Sequence, residues 1–363
     1  MKLSDFDYHL PAEQIAQVPA EPRDASRLLV HHTPKDETEH GTVRDLGKWL
    51  RPGDLLVLND SRVRHARVLA RRPSGGRVEI LFLEALAEFS GAWRVLVRPG
   101  KKQREGAFLE VAPGLGVRLG KREEDAMGQP AATWLATLEG ELTRESGDED
   151  LLETFGQIPL PPYIERDDQD PRLVQDKERY QTVYAASTGS VAAPTAGLHF
   201  TDELLAQLES QGVRCAQVTL HVGLGTFQSV KVEDLALHPM HWESYSLPER
   251  TAQLVQETRQ RGGRVISVGT TATRVLETCS RPGGLVSPGV GRTNLFLRPP
   301  AGPQVVDGLL TNFHLPRTTL LMLVASFIGR ERMLRLYEEA IEAGYRFYSY
   351  GDTSLLFGNR RGD

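Results

Sequence analysis

Cysteine is almost absent from the 363 residues: only Cys215 and Cys279 occur. Two thiols exclude a disulfide framework and a cysteine-based zinc cluster. Long hydrophobic runs are missing too. The most apolar stretch, TTLLMLVASFIG (318–329), falls short of the ~20 residues of a spanning helix and reads as a buried helix between Arg317 and Arg330. The N-terminal MKLSDFDYHLPAEQ has no apolar core of the kind a signal peptide carries. Together these absences lead to the expectation of a soluble, cytoplasmic protein that touches no membrane. Positive charge is not in excess. Lys+Arg 43 against Asp+Glu 48 leaves a net −5, which excludes a globally basic nucleic-acid coat and permits a local basic groove. A dinucleotide fingerprint is also lacking: LHVGLGTF (220–227) supplies G-x-G, but Gln228 holds the third glycine position.

What is present can fold. Apolar residues make 40% and charged residues 25% of the chain, enough for a real core. The length predicts two domains. Gly 34 and Pro 22 are mildly above average usage and point to many turns. From Ser61 to about Asp150, short β-rich runs recur: RVRHARVLA, GRVEILFLE, AWRVLVRPG, FLEVAP, GVRLG and ATWLATLEG. Turn signals separate them, including PSGG (73–76) and APGLG (112–116). Six short strands at this spacing predict a small all-β barrel or sandwich. After residue 155 the period lengthens. TDELLAQLESQG (201–212) has a threonine cap, early acids and a closing glycine, the marks of a helix. Strand VRCAQVTLHVG, helix ERTAQLVQETRQRGG, strand RVISVG and helix TTATRVLE follow. The expected fold class is α/β: a mainly parallel sheet with helices on both faces, carrying an inserted β-barrel. Residues 1–60 and 156–363 would form the α/β domain and 61–155 the insert.

Five stretches carry polar chemistry. STGSVAAPTAGLHF (187–200) presents small residues, Thr195 and His199 just before a helix, where backbone donors favour anionic or polar groups. LHVGLGTF lies at a strand end, where ligands gather in α/β sheets. HPMHWES (238–244) sets two histidines beside Glu243, but Pro239 opposes a helix and no third His or Cys ligand lies nearby, so no metal is expected. SVGTTATRVLE (267–277) and TNFHLPRTT (311–319) each bring hydroxyls or Asn312 and His314 to a helix start. Separately, Arg62, Arg64, Arg67, Arg71, Arg72 and Arg77 follow one another with no acidic residue between 61 and 77. Arg94, Arg98, Lys101, Lys102 and Arg104 come next. A phosphate-tracking barrel face is the expectation there.

Taken together, these segments resemble the S-adenosylmethionine:tRNA ribosyltransferase-isomerases of queuosine biosynthesis. The resemblance runs from DFDYHLPAEQIAQVPAEPRDASRLLV (5–30) through RPGDLLVLNDSRVRHAR, FGQIPLPPYIER and ERYQTVYA. It continues through GSVAAPTAGLHF, TLHVGLGTFQSV, HPMHWESY, GGRVISVGTTATRVLE, LLTNFHLPRTTLLMLVASFIG and YRFYSYGD. It implies an α/β domain with an inserted barrel and a metal-free, monomeric enzyme. It further implies transfer of the ribosyl unit of S-adenosylmethionine, a consumed substrate, to a 7-aminomethyl-7-deazaguanine base at the tRNA wobble position. Isomerisation would give epoxyqueuosine, with release of adenine and methionine.

Such chemistry needs a base for a ribose proton acidified by the sulfonium, and hydrogen-bond donors for the departing adenine. The polar motifs offer His199, His241 and Glu243 as first catalytic candidates, since each stands outside the apolar helix faces. The glycine- and hydroxyl-rich segments offer Thr195, Gly197, Gly223, Gly225, Thr226, Thr270, Thr271, Asn312 and His314 for S-adenosylmethionine.

Overall fold

A computed structural model of the chain describes residues 1–86, 91–124, 129–223, 225 and 232–358. The chain begins with β1 (Arg27–His32), β2 (Glu37–Thr42), β3 (Leu55–Asn59) and the short β4 (Ser61–Val63). Six strands follow: β5 (Arg67–Arg71), β6 (Arg77–Ala85), β7 (Ala92–Arg98), β8 (Phe108–Ala112), β9 (Leu115–Glu124) and β10 (Pro130–Glu139). Helices α1 (Asp148–Phe155) and α2 (Arg172–Arg179) lead to β11 (Ser187–Ser190), α3 (Asp202–Ser210), β12 (Arg214–Leu220) and β13 (Glu243–Leu247). Then come α4 (Glu249–Gln260), β14 (Val265–Val268), α5 (Gly269–Thr278), β15 (Ser280–Arg281), β16 (Leu285–Val286) and β17 (Gly289–Thr293). The order ends with β18 (Gly308–Asn312), α6 (Thr319–Ile328), α7 (Arg330–Glu342) and β19 (Thr353–Phe357).

Strands β5 to β10 close into a six-stranded barrel in the order β10-β7-β6-β5-β8-β9, every ladder antiparallel. Alternation drives it. Along β6, Val78, Ile80 and Phe82 turn inward while Glu79 and Leu81 stay partly exposed; Trp93, Val95 and Val97 of β7 repeat the pattern. The charged tract TRESGDED (143–150) follows the last barrel strand. Its acids Asp148, Glu149 and Asp150 form the first turn of α1, where the helix dipole favours negative charge. Leu151 and Leu152 of that helix join the barrel core, and Asp148 accepts a 2.7 Å hydrogen bond from Trp93 Nε1.

The second body is a nine-stranded sheet in the order β17-β13-β12-β3-β14-β18-β19-β1-β2. Its central strands are buried along their whole length, with alternate residues in two cores. Leu55, Val57, Val265 and Leu309 face α4 to α7, whereas Leu56, Leu58, Ile266 and Leu310 face α3 and Phe200. The expectation of a mainly parallel sheet is corrected: four ladders are parallel and four antiparallel, so the sheet is mixed. Helix parity explains the centre. Between β18 and β19 lie two helices rather than one, so the chain returns to the edge it left and β19 must run antiparallel to β18. Gly329, at φ +84°, supplies the one-residue turn between α6 and α7. No helix among the described residues is long and apolar enough to cross a membrane.

Candidate active site

Parallel strands β12, β3, β14 and β18 end side by side, so the loops after Leu220, Asn59, Val268 and Asn312 emerge along one sheet edge. Antiparallel β19 starts at that edge, with Thr353 opposite Asn312. Two adjoining hollows open there. The first, about 780 Å³, is lined by Ala192–Ala196, Gly269–Thr271 and Thr311–His314, with Tyr163, Tyr180, Tyr348 and Ser349. The second, about 1300 Å³, is lined by Gly225, His238–His241, Leu295–Leu297 and Leu323. Glu243, Arg274, Leu320 and Tyr348 belong to both walls.

The pair at the junction is buried. Glu243 begins β13 and is 7% exposed, as is Arg274 from the second turn of α5. The Arg274 Nη1 donates to Glu243 Oε2, while the Gly223 N–H donates to Oε1 at 3.0 Å. Arg274 Nε is anchored on the Leu295 carbonyl at 3.2 Å. The chain reaches this arrangement through Gly269, whose φ of +88° lets α5 start directly from β14, a backbone conformation costly to other residues.

A chain of hydrogen bonds sets the floor of the first hollow. Thr195 Oγ1 donates to Asn312 Oδ1 at 3.0 Å. Asn312 Nδ2 faces the carbonyls of Tyr348 and Asp352, which fixes its amide orientation, and it also donates to His199 Nε2 at 2.9 Å. His199 Nδ1 therefore carries the proton and donates to Ser26 Oγ at 2.9 Å. Burial lowers the pKa of His199 to about 3, and the same cause lowers His314 to about 3. Both rings are neutral near pH 7. Burial raises Tyr348 to about 12 and raises Tyr163 and Tyr180 as well, so these phenols keep their protons.

Most of the sequence-derived candidates converge. Thr195, Thr270, Thr271, Asn312 and His314 line the first hollow, Gly225 and His241 the second, and Glu243 both. Gly223 adjoins them through its bond to Glu243. His199 lies behind Asn312, outside both linings. Gly197 is a packing position: a Cβ there would stand 2.1 Å from the Tyr184 hydroxyl. Thr226 lies outside the described residues. Arg274 is a site residue that the motifs do not single out, although it sits three and four positions after Thr271 and Thr270 and so shares their helix face. Tyr163, Tyr180 and Tyr348 carry no comparable signal. No group of three or more His, Cys, Asp or Glu that could hold a metal occurs among the described residues.

Part of the arginine-rich stretch is neutralised in three dimensions. Arg62 meets Glu153, Arg64 meets Glu149, Arg67 and Arg77 share Asp168, and Arg94 meets Glu84 and Glu123. Arg98 lies 3.8 Å from Glu79. Arg71, Arg72, Lys101, Lys102 and Arg104 have no acidic partner among the described residues. The turn after Arg71 and the segment after Arg98 leave the barrel at the same end, because β6 pairs Arg77 with Arg71 and Glu79 with Arg98.

A family model described as "Queuosine biosynthesis protein" matches residues 3–356. The S-adenosylmethionine:tRNA ribosyltransferase-isomerase of Thermotoga maritima is 48% identical over 98% of this chain and 100% of its own length. The enzyme of the same name from Gloeobacter violaceus is 49% identical over 97% of this chain and 94% of its own. A crystal structure of S-adenosylmethionine tRNA ribosyltransferase from Thermotoga maritima aligns with 97% of this chain and 100% of its own, at 38% identity and a TM-score of 0.53. With its barrel, its mixed sheet and its motifs matched from end to end, this chain belongs to the queuosine biosynthesis family of S-adenosylmethionine:tRNA ribosyltransferase-isomerases.

Proposed function

We propose that the chain transfers and isomerises the ribosyl moiety of S-adenosylmethionine onto 7-aminomethyl-7-deazaguanine at the tRNA wobble position. The products are epoxyqueuosine-tRNA, adenine and methionine. One observation supports this most: a buried carboxylate–guanidinium pair, Glu243 and Arg274, stands where a small-molecule hollow meets a second, more open one. S-adenosylmethionine would occupy the first hollow as a consumed substrate, and the flipped-out wobble base would enter through the second. Relatives named for both substrates share this chain nearly end to end.

The reaction asks for a base at the ribose carbon beside the sulfonium and for hydrogen bonds to the leaving adenine. Glu243 reaches both hollows and His241 faces the second, so proton transfer is assigned to these two. His199 is assigned a positioning role, holding the Asn312 amide that in turn orients Thr195. Barrel segment 61–155 would carry the tRNA backbone while residues 1–60 and 156–363 carry the chemistry. The enzyme would act as a monomer in the cytoplasm.

Incubation with S-adenosylmethionine and tRNA bearing the 7-aminomethyl-7-deazaguanine base tests the proposal. Nucleoside mass spectrometry should find epoxyqueuosine, with one adenine released per modified base. Methylated RNA with no free adenine would replace this reading with methyl transfer.

A further inference from the structure

Arg274 uses only part of its hydrogen-bonding capacity. Its Nε is held by Leu295 and its Nη1 by Glu243, but Nη2 has no partner. The side chain is 9% exposed, so water does not take up these donors from outside. A buried N–H group without an acceptor is unfavourable, and a buried guanidinium presents two of them on one nitrogen. Three positions earlier on the same helix face, Thr271 Oγ1 is also buried and without a partner. Both residues line the first hollow, as do Gly269 and Thr270 at the start of the ten-residue α5, where unpaired backbone N–H groups and the helix dipole favour negative charge. Orphaned donors and positive potential converge on one wall. They call for an anionic oxygen.

We propose that Arg274 and Thr271 form the subsite that holds the methionyl carboxylate of S-adenosylmethionine. This rests on the function proposed above. Among the groups of that substrate, adenine and the ribose hydroxyls are neutral, and the sulfonium and ammonium are cationic. The carboxylate is the one anion. A tRNA phosphate shares the same chemistry, but an arginine only 9% exposed on the wall of the first hollow suits a small ligand admitted there over a polymer backbone. Holding the carboxylate at the start of α5 leaves the adenosine to extend away from that helix, towards the remaining walls.

The test uses two inhibitors that differ by the carboxylate alone: S-adenosylhomocysteine and S-adenosyl-3-thiopropylamine. With tRNA at saturation, wild-type enzyme should bind the first about tenfold more tightly, the size expected for one charge-assisted hydrogen bond. Arg274→Lys keeps a positive charge for Glu243 and should abolish the ratio by weakening the first inhibitor only. Thr271→Val should reduce the ratio by a smaller factor, and it serves if Arg274→Lys does not fold. Equal inhibition of wild-type enzyme by the two compounds overturns the subsite, as does an Arg274→Lys loss shared equally between them. A rise confined to the Michaelis constant for tRNA would give the donors to a phosphate and also overturn it. Failure of wild-type enzyme to release adenine from S-adenosylmethionine is a different result, and sinks the proposed function itself.

Discussion

His199 and His314 each titrate far below an ordinary histidine because burial disfavours the imidazolium. In the unfolded chain both regain a pKa near 6.5. Unfolding therefore takes up protons below that value. Their contribution to stability is complete above pH 6.5 and is lost as pH falls towards about 3, at roughly 1.4 kcal/mol per unit for each ring. Urea midpoints should be level above about pH 7 and decline steeply below 6, and His199→Gln should lessen that decline. An unchanged slope in the variant would show that the ring is not buried neutral. Glu243→Gln removes a carboxylate but leaves the shape of the site. It should reduce kcat by ~10²–10⁴-fold with the Michaelis constants little altered, measured by adenine release. The sequence offers His199, His241 and Glu243 as equals, since depth is not written in a motif. Only the fold separates a ring behind Asn312 from a carboxylate on the wall. Arg274 is hidden for the converse reason: an arginine inside a helix reads as surface until its burial is seen.

At the level of elements, local signals are readable where one residue type has one task. Thr201 and Thr318 cap α3 and α6 through hydroxyls that accept from Leu204 and Leu321, and the barrel strands alternate as their sequences do. Strand direction is not readable, because it depends on how many helices intervene between neighbours. From the sequence no element is expected at TSLLF (353–357), yet it is a fully buried central strand. Two glycines offer a controlled comparison. Gly269 and Gly329 have φ of +88° and +84°, so alanine at either should destabilise by about 1–3 kcal/mol. Gly329 has open space around it and its alanine variant should keep normal S-adenosylmethionine affinity. Gly269→Ala should weaken that affinity as well, since it starts the helix that carries Thr270, Thr271 and Arg274. Equal affinity in both variants would separate the α5 start from the binding site.

Across the whole molecule, charge shows the limit of reading along the chain. No acid lies between residues 61 and 77, yet Glu149, Glu153 and Asp168 reach those arginines from later in the sequence. The cations left without such partners gather at one end of the barrel, which sharpens the expected tRNA footprint. Arg71→Glu combined with Lys101→Glu and Lys102→Glu should raise the Michaelis constant for tRNA and leave that for S-adenosylmethionine unchanged. The log–log salt slope should flatten by about 0.7–0.9 for each phosphate that is no longer neutralised. Filter binding across a salt series checks this, and an unaltered slope would move the footprint to the α/β body.

The position of β19 also bears on how the protein is made. Strands β1 and β2 join the remaining seven by backbone hydrogen bonds only through β19, and Asn312 donates to the carbonyl of Asp352 just before it. During synthesis, β1 and β2 must therefore wait for a strand more than 300 residues further along the chain, since Leu28 pairs with Thr353. Closing the nine-stranded sheet thus depends on a pairing between opposite ends of the described chain.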